Sequence, residues 1–133
     1  MIEKLFISYR ETFSDSKKIL NKYKIGLAHQ KVIHLISMYE GISISELMRK
    51  LKITKQSLNR VLKDLKRLKI IKQIKDSNDT RRKLLYLDQN GKKFYKEVFE
   101  IQKKRIFNAL KGSDSDSVIK FKEVLKKIIN GKK

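Results

Sequence analysis

The stretch from Ser43 to Gly91 constrains the fold most: two short helical patterns meet at a tight turn, and a basic hairpin without glycine follows them. The second helical pattern runs from Lys55 to Lys69. Taking Leu58 as the inward direction at about 100° per residue, Val61, Leu62 and Leu65 fall within about 60° of it and Leu68 about 80° away, on the same side. Gln56, Arg60, Lys63 and Arg67 fall opposite, with Asn59 on the shoulder. The segment therefore has a narrow apolar seam for docking and a free face of amide and cationic groups.

Its neighbours are as well marked. Ser43 and Glu46 have the spacing of a capping box, each side chain accepting a backbone N–H of the other residue, and the helix they start runs to about Leu51. Lys52-Ile53 makes the turn, and Thr54 is the natural N-cap of the second helix. Ile70 to Lys75 and Lys83 to Asp88 then alternate as two strands, with Leu85 and Leu87 on the inner face and Leu84 and Tyr86 on the other. The loop from Asp76 to Arg82 consists of turn formers followed by Arg81, Arg82 and Lys83, which project positive charge at the hairpin tip. That order reads as a winged helix-turn-helix. A charged face on an isolated helix is usually only solvated, but a capped helix before this one and a hairpin after it point to a reading head.

The rest of the chain looks like scaffold. Ile2, Leu5, Phe6, Tyr9, Phe13 and Leu20 recur at helical spacing, which predicts one amphipathic helix from Ile2 to Tyr23, ended by Ile25-Gly26-Leu27 with Gly26 left-handed. A helix over Ala28–Glu40 turns Val32, Leu35, Ile36 and Tyr39 inward, and Gly41 stops it. Ile42 to Ile44 is β-branched and suits a brief strand. Asp88 can cap a long helix to about Lys111, in which Phe94, Val98, Ile101 and Tyr95, Phe99, Ile106, Leu110 form two apolar series. Such a helix exposes more apolar surface than one small domain covers, which implies a partner subunit. After a polar break at Gly112–Asp116, a last helix is expected from about Asp116 to Asn130.

Charge narrows the partner. The formal net charge is +20, and between Arg49 and Lys83 there are 14 basic residues against three acidic ones, Asp64, Asp76 and Asp79. A polyanion is the leading partner. Of the 34 basic residues 27 are Lys, an amount that an AT-rich genome could produce. Genome bias explains that amount better than its concentration around one helix and one hairpin.

Several classes of chemistry are disfavoured. Cysteine is absent, which removes disulfides, thiolate metal sites and a thiol nucleophile. His29 and His34, five apart, point about 140° away from each other on a helix and form no one-face metal pair. There is no phosphate-binding Gly-rich loop and no His-containing triad spacing, so neither an enzyme nor a cofactor is expected. No apolar run approaches a membrane span and no signal-peptide core is present, so a cytoplasmic location without membrane contact is expected.

The motifs together resemble the MarR family of transcriptional regulators, over nearly the whole chain. Gly26-Leu27-Ala28-His29-Gln30 resembles that family's Gly-Leu-Thr-x-x-Gln, without the Thr and with Gln nearer; Ser43-Ile44-Ser45-Glu46-Leu47 is similar to its third-helix start. Thr54 to Leu62 resembles its recognition helix. Asp79-Thr80-Arg81, followed by Leu84-Leu85-Tyr86-Leu87 and Gly91, is similar to its Asp-x-Arg wing motif and second wing strand. Arg82 stands where the family commonly has Asp or Asn, and Asp88 replaces the usual Thr as a helix cap.

The resemblance implies an α+β, mainly helical homodimer: residues 28–88 form the DNA-binding lobe, and residues 1–27 and 89–133 interleave as a dimerisation lobe. It also implies a small, often phenolic or anionic effector where the lobes meet, for which Tyr9, Phe13, His34 and Tyr39 are the pocket candidates. For double-stranded DNA the expected contacts are Thr54, Lys55, Gln56, Asn59, Arg60, Lys63, Arg67, Arg81 and Arg82, with Asp79 supporting the wing. Amides bond adenine and guanidinium groups bond guanine in the major groove, so selectivity falls to Gln56, Asn59 and Arg60. Arg81 is expected in the minor groove. The competing reading is a constitutive nucleoid-type architectural protein that needs no effector.

Overall fold

Ser16 divides what the apolar period draws as a single N-terminal helix. In the computed structural model, which describes residues 1–131, α1 spans Ile2–Ser14 and α2 spans Lys17–Tyr23. The expected helix from Ile2 to Tyr23 is thus broken. The Ser16 side chain is fully buried, and its hydroxyl lies 3.0 Å from Phe13 O and 2.8 Å from Gln30 Oε1. A hydroxyl that bonds the carbonyl three residues back competes with the helical ladder. It also has only one proton, so both contacts are satisfied when the Gln30 amide presents its NH2 to Ser16 and Ser16 donates to Phe13. Sequence periodicity is blind to this, because a serine on an apolar face does not interrupt the pattern.

The turn after α2 is also made differently from expectation. Lys24, at φ 57°, is the left-handed residue, and Gly26 is extended. Gly26 instead caps α3, Leu27–Met38, and donates its N–H to His29 Nδ1 at 3.1 Å. Val32, Ile33 and Ile36 of α3 are buried as its period requires. Tyr39 is not inward: it lies just past the helix, 49% exposed, with the Lys50 ammonium 4.3 Å above its ring. Gly41, at φ 90°, redirects the chain into β1, Ile42–Ser43, where a Cβ would sit 3.2 Å from Tyr86 Oη.

Next come α4, Ile44–Leu51, α5, Lys55–Arg67, β2, Ile71–Lys75, and β3, Lys83–Leu87. The three strands form an antiparallel sheet in the order β1-β3-β2, with Ile42 opposite Leu85 and Ile71 opposite Leu87. Leu85 and Leu87 point into the core and Leu84 and Tyr86 are half-buried on the other face, as period two demands. Ser43 accepts the Glu46 N–H at 3.2 Å, but the Glu46 carboxylate accepts from the Ser43 hydroxyl at 2.9 Å rather than from its backbone. The capping box is therefore half formed. Leu68 closes α5 as a half-buried C-cap that still packs against the core.

Asp88 caps α6, Gln89–Leu110, by accepting the Gln89 N–H at 2.8 Å. Asp114 caps α7, Ser115–Ile129, so this helix starts slightly before the expected Asp116. The core is one cluster in which Leu47, Leu58, Leu62, Leu65, Ile70, Leu85 and Phe94 are fully enclosed. Each such side chain gains about 1.5–3 kcal/mol from leaving water, before conformational entropy is subtracted.

Neither apolar series of α6 is fully covered. Phe94 and Val98 are buried, whereas Phe99, Ile101, Ile106 and Phe107 are exposed, and neither α1 nor α7 contains a buried residue. Arg105 of α6 grips Asp15 at the end of α1 with two parallel bonds, Nη2 to Oδ1 at 2.8 Å and Nε to Oδ2. That fork holds the Asp15 carboxyl below the usual carboxylate range, by hydrogen bond first and by charge second. Among the described residues, which exclude residues 132–133 of the expected dimerisation lobe, no helix is long and apolar enough to cross a membrane.

Candidate nucleic-acid interface

The start of α5 is built by two local devices. Lys52, at φ 54°, turns the chain out of α4, and Thr54 accepts the Ser57 N–H on Oγ1 at 3.1 Å. Leu58, Val61, Leu62 and Leu65 then lock the apolar seam into the core, so the opposite side must face out. Gln56, Asn59, Arg60, Lys63 and Arg67 are all exposed on it, and Lys55 and Lys66 are exposed at its edge. The helix is rigid because its seam is buried, and its free face presents amide and cationic groups at fixed spacing.

The hairpin tip is held by its own aspartates. Asp76 Oδ1 accepts the Asn78 N–H at 2.9 Å, and Asp79 Oδ1 accepts the Arg81 N–H at 3.0 Å. Asp79 also lies 3.5 Å from Arg81 Nε, so it supports the wing arginine mainly through the backbone. The Arg81 side chain projects freely, 93% exposed. Its neighbour Arg82 does not: Nη2 donates to Glu46 Oε1 on α4, and Nη1 stands 4.0 Å from Asp76 Oδ2. The Ser43 hydroxyl and then Arg82 hold the Glu46 carboxyl below its usual range.

Between α4, α5 and the wing lies a cleft of about 490 Å³ onto which Lys55, Asn59, Lys66, Arg81, Arg82 and Lys83 open. It gathers Lys55, Asn59, Arg81 and Arg82 from both ends of the expected site. Gln56, Arg60, Lys63 and Arg67 lie along the exposed face of α5 outside it, and Thr54 is occupied as the cap. Two basic residues of the cleft stand outside the expected DNA contacts, although Lys83 belongs to the basic triplet read at the hairpin tip. Lys66 bonds Gln73 of β2 at 3.0 Å, and Lys83 begins β3; only their positive charge marked them.

The one acidic side chain of α5 is tied inward. Asp64 accepts from His29 Nε2 at 2.9 Å and lies 3.6 Å from Arg67. Because the Gly26 N–H occupies Nδ1, the neutral ring carries its proton on Nε2 and donates. The bond from His29, and then Arg67, holds the Asp64 carboxyl below its ordinary value.

The four effector-pocket candidates do not meet. Tyr9 and Phe13, ring centroids 4.9 Å apart, line a cavity of about 440 Å³ with Phe6, Arg10, Lys17 and Leu20. His34 lies elsewhere, 5.9 Å from the Tyr95 ring, and desolvation pushes its pKa down although much of its surface is still open. Tyr39 sits under Lys50 beyond the end of α3. Helical phase, which placed Tyr9, Phe13 and Tyr39 on inner faces, cannot tell one cavity from separate contacts.

Comparison with known proteins agrees with this architecture. The sequence model of the MarR family matches residues 27–82. The HTH-type transcriptional regulator PetP of Rhodobacter capsulatus is 32% identical over 129 residues, covering 97% of this chain and 78% of PetP. Among solved structures, a MepR mutant from a multidrug resistant S. aureus clinical isolate superposes with a TM-score of 0.83 at 20% identity, covering 98% of this chain and 96% of that one. NadR in complex with 4-hydroxyphenylacetate gives a TM-score of 0.81 at 24% identity, covering 99% and 94%. An S. aureus MepR–DNA complex gives 0.68 at 18% identity, covering 98% of each chain.

Proposed function

The chain belongs to the MarR family of transcriptional regulators and has its winged-helix DNA-binding fold, and from that premise we propose that it reads a pseudo-palindromic operator as a homodimer. The observation that carries the reading is the free face of α5 set beside the unencumbered Arg81, with a cationic cleft between them. Lysines and arginines over this surface release counterions from phosphates, which gives affinity without sequence information. Gln56, Asn59 and Arg60 supply the selectivity, through base edges in the major groove. Arg81, braced by Asp79, enters the adjacent minor groove.

The exposed apolar faces of α1, α6 and α7 support the homodimer, with residues 1–27 and 89–133 as its dimerisation lobe and 28–88 as its reading lobe. Two-fold symmetry would place the recognition helices on half-sites about one turn, roughly 10 bp, apart. The solved complexes of the fold with DNA and with 4-hydroxyphenylacetate support a nucleic-acid partner and a small aromatic effector here as well. The cavity beside Tyr9 and Phe13 suits an aromatic acid, with Arg10 and Lys17 at its rim for the carboxylate. As a regulator of this kind the protein acts without catalysis and in the cytoplasm.

Selection from random duplexes tests the operator, with recovery of an inverted repeat as the expected result. Sedimentation of the free protein tests the dimer, and a thermal-shift series with 4-hydroxyphenylacetate and related aromatic acids tests the effector. Equal binding to all AT-rich duplexes in competition would instead identify the architectural alternative.

A further inference from the structure

We propose that Arg82 is a positioning residue that struts the wing against α4, and that it makes no phosphate contact. The inference rests on the reading of α5 and the wing as the DNA-reading surface. Two consecutive arginines stand in opposite surroundings: the Arg81 side chain is 93% exposed, while that of Arg82 is 48% exposed and faces two carboxylates.

The local charge decides against a phosphate role. Arg82 with Glu46 and Asp76 is one cation between two anions, so the trio as a whole repels a polyanion. Moving Arg82 to a phosphate would leave both carboxylates facing the DNA without a counter-charge. Arg81 has no such pair of carboxylates, and Asp79 touches mainly its backbone.

Both ends of the strut are anchored. On the α4 side, Glu46 accepts from the Ser43 hydroxyl at 2.9 Å, and the Glu46 N–H is itself bonded to Ser43. On the wing side, the Arg82 N–H donates to Asp79 O and Arg82 O accepts from the Asp76 N–H, each at 2.9 Å, so its backbone closes the loop from which Arg81 projects. The ion pair joins residues 36 apart in sequence. It therefore sets the distance between the hairpin tip and the start of the reading helices. A wing ordered in the free protein loses less conformational freedom on binding, and that difference appears as affinity.

The test uses the full chain and the variants Arg82→Met, Arg81→Met and Glu46→Met, with thermal melting as the folding control. Without DNA, amide exchange at Asp76 and Arg82 is expected to accelerate by roughly three- to ten-fold in Arg82→Met and in Glu46→Met, the scale of losing one partly exposed charge-assisted bond. On duplex DNA, Arg81→Met is expected to lower the salt slope by about one unit, and Arg82→Met to weaken binding while leaving that slope unchanged. Unchanged exchange in both strut variants, or a slope lowered by Arg82→Met as much as by Arg81→Met, overturns the proposal. If the native chain bound no duplex with a salt dependence, the DNA reading would fail, and the exchange measurement would still decide the strut.

Discussion

His29 of α3 donates its Nε2–H to Asp64 of α5 at 2.9 Å, and the N–H of Gly26 occupies its other ring nitrogen at 3.1 Å. One imidazole thus caps the start of α3 and ties down the only acidic side chain of α5. We expect His29→Ala to destabilise the protein by about 1 kcal/mol through loss of the cap-like bond to Gly26. Urea denaturation reads this as a lower midpoint at unchanged m. An unchanged midpoint would mean that solvent replaces the imidazole without cost.

Asp15, Glu46, Asp64 and Asp114 all have carboxyl pKa values below their ordinary ones, held there chiefly by hydrogen bonds from Arg105, Ser43, His29 and the Ser117 N–H respectively. A lowered folded-state pKa contributes stability that is complete above the unfolded value and disappears as pH falls through the folded one. A smaller decline in thermal midpoint begins below about pH 6.5, where the unfolded chain protonates His34 more readily than the fold does. The carboxylates add the main decline below about pH 4, their ordinary value. Replacing Asp64 with Asn should remove part of that decline, and an equally steep acid limb in the variant would contradict the assignment.

Gly91 lies against the carbonyl of Ile70, where a Cβ would come within 2.0 Å of the oxygen. That oxygen already accepts the Asp88 N–H at 2.8 Å, so it has little freedom to move. Gly91→Ala should cost about 2–3 kcal/mol by overpacking the joint between the wing and α6. Chemical denaturation gives the value directly.

Lys24, Lys52 and Lys69 all adopt φ values between 54° and 58°, a region in which a side chain is strained. Each ends a helix. Changing Lys52 or Lys69 to Gly relieves that strain at the cost of a more flexible unfolded chain, with a net gain of about 0.5–1 kcal/mol. The two gains should add in the double variant, since the sites end different segments. A lower melting temperature in either single variant would count against the left-handed geometry there.

On the reading face, Gln56→Ala and Lys63→Ala should separate specificity from charge. The first should flatten the preference among operators, whereas the second should weaken all duplexes alike and lower the salt slope by about one. Equal loss of discrimination in both would overturn the division of roles.

The heart of the fold was legible because its signals are local and redundant. The seam from Leu58 to Leu65, the caps at Ser43, Thr54 and Asp88, and the alternation of Leu84 to Leu87 each fix an element, and they agree with one another. What escaped depends on partners distant in sequence. Ser16 breaks a helix because Gln30 receives it in the core, Arg82 is turned inward by Glu46, and Asp64 is tied down by a hydrogen bond from His29. A face assigned by periodicity shows that a charge points outward, but not whether another side chain waits there to meet it. The same limit scattered the aromatic candidates: Tyr9 and Phe13 share a cavity, whereas His34 and Tyr39 are engaged by Tyr95 and Lys50.

Neither α1 nor α7 encloses a residue of its own. In the proposed homodimer, the free energy that holds these two helices would be a function of protein concentration, through mass action between protomers. Dilution would then act on the chain as a denaturant acts, melting the two ends first while the enclosed centre from α3 to β3 stays folded. Operator DNA, by holding two protomers together, would restore helicity far from its own contacts, so the amount of regulator in the cell would set its folded state as well as its occupancy.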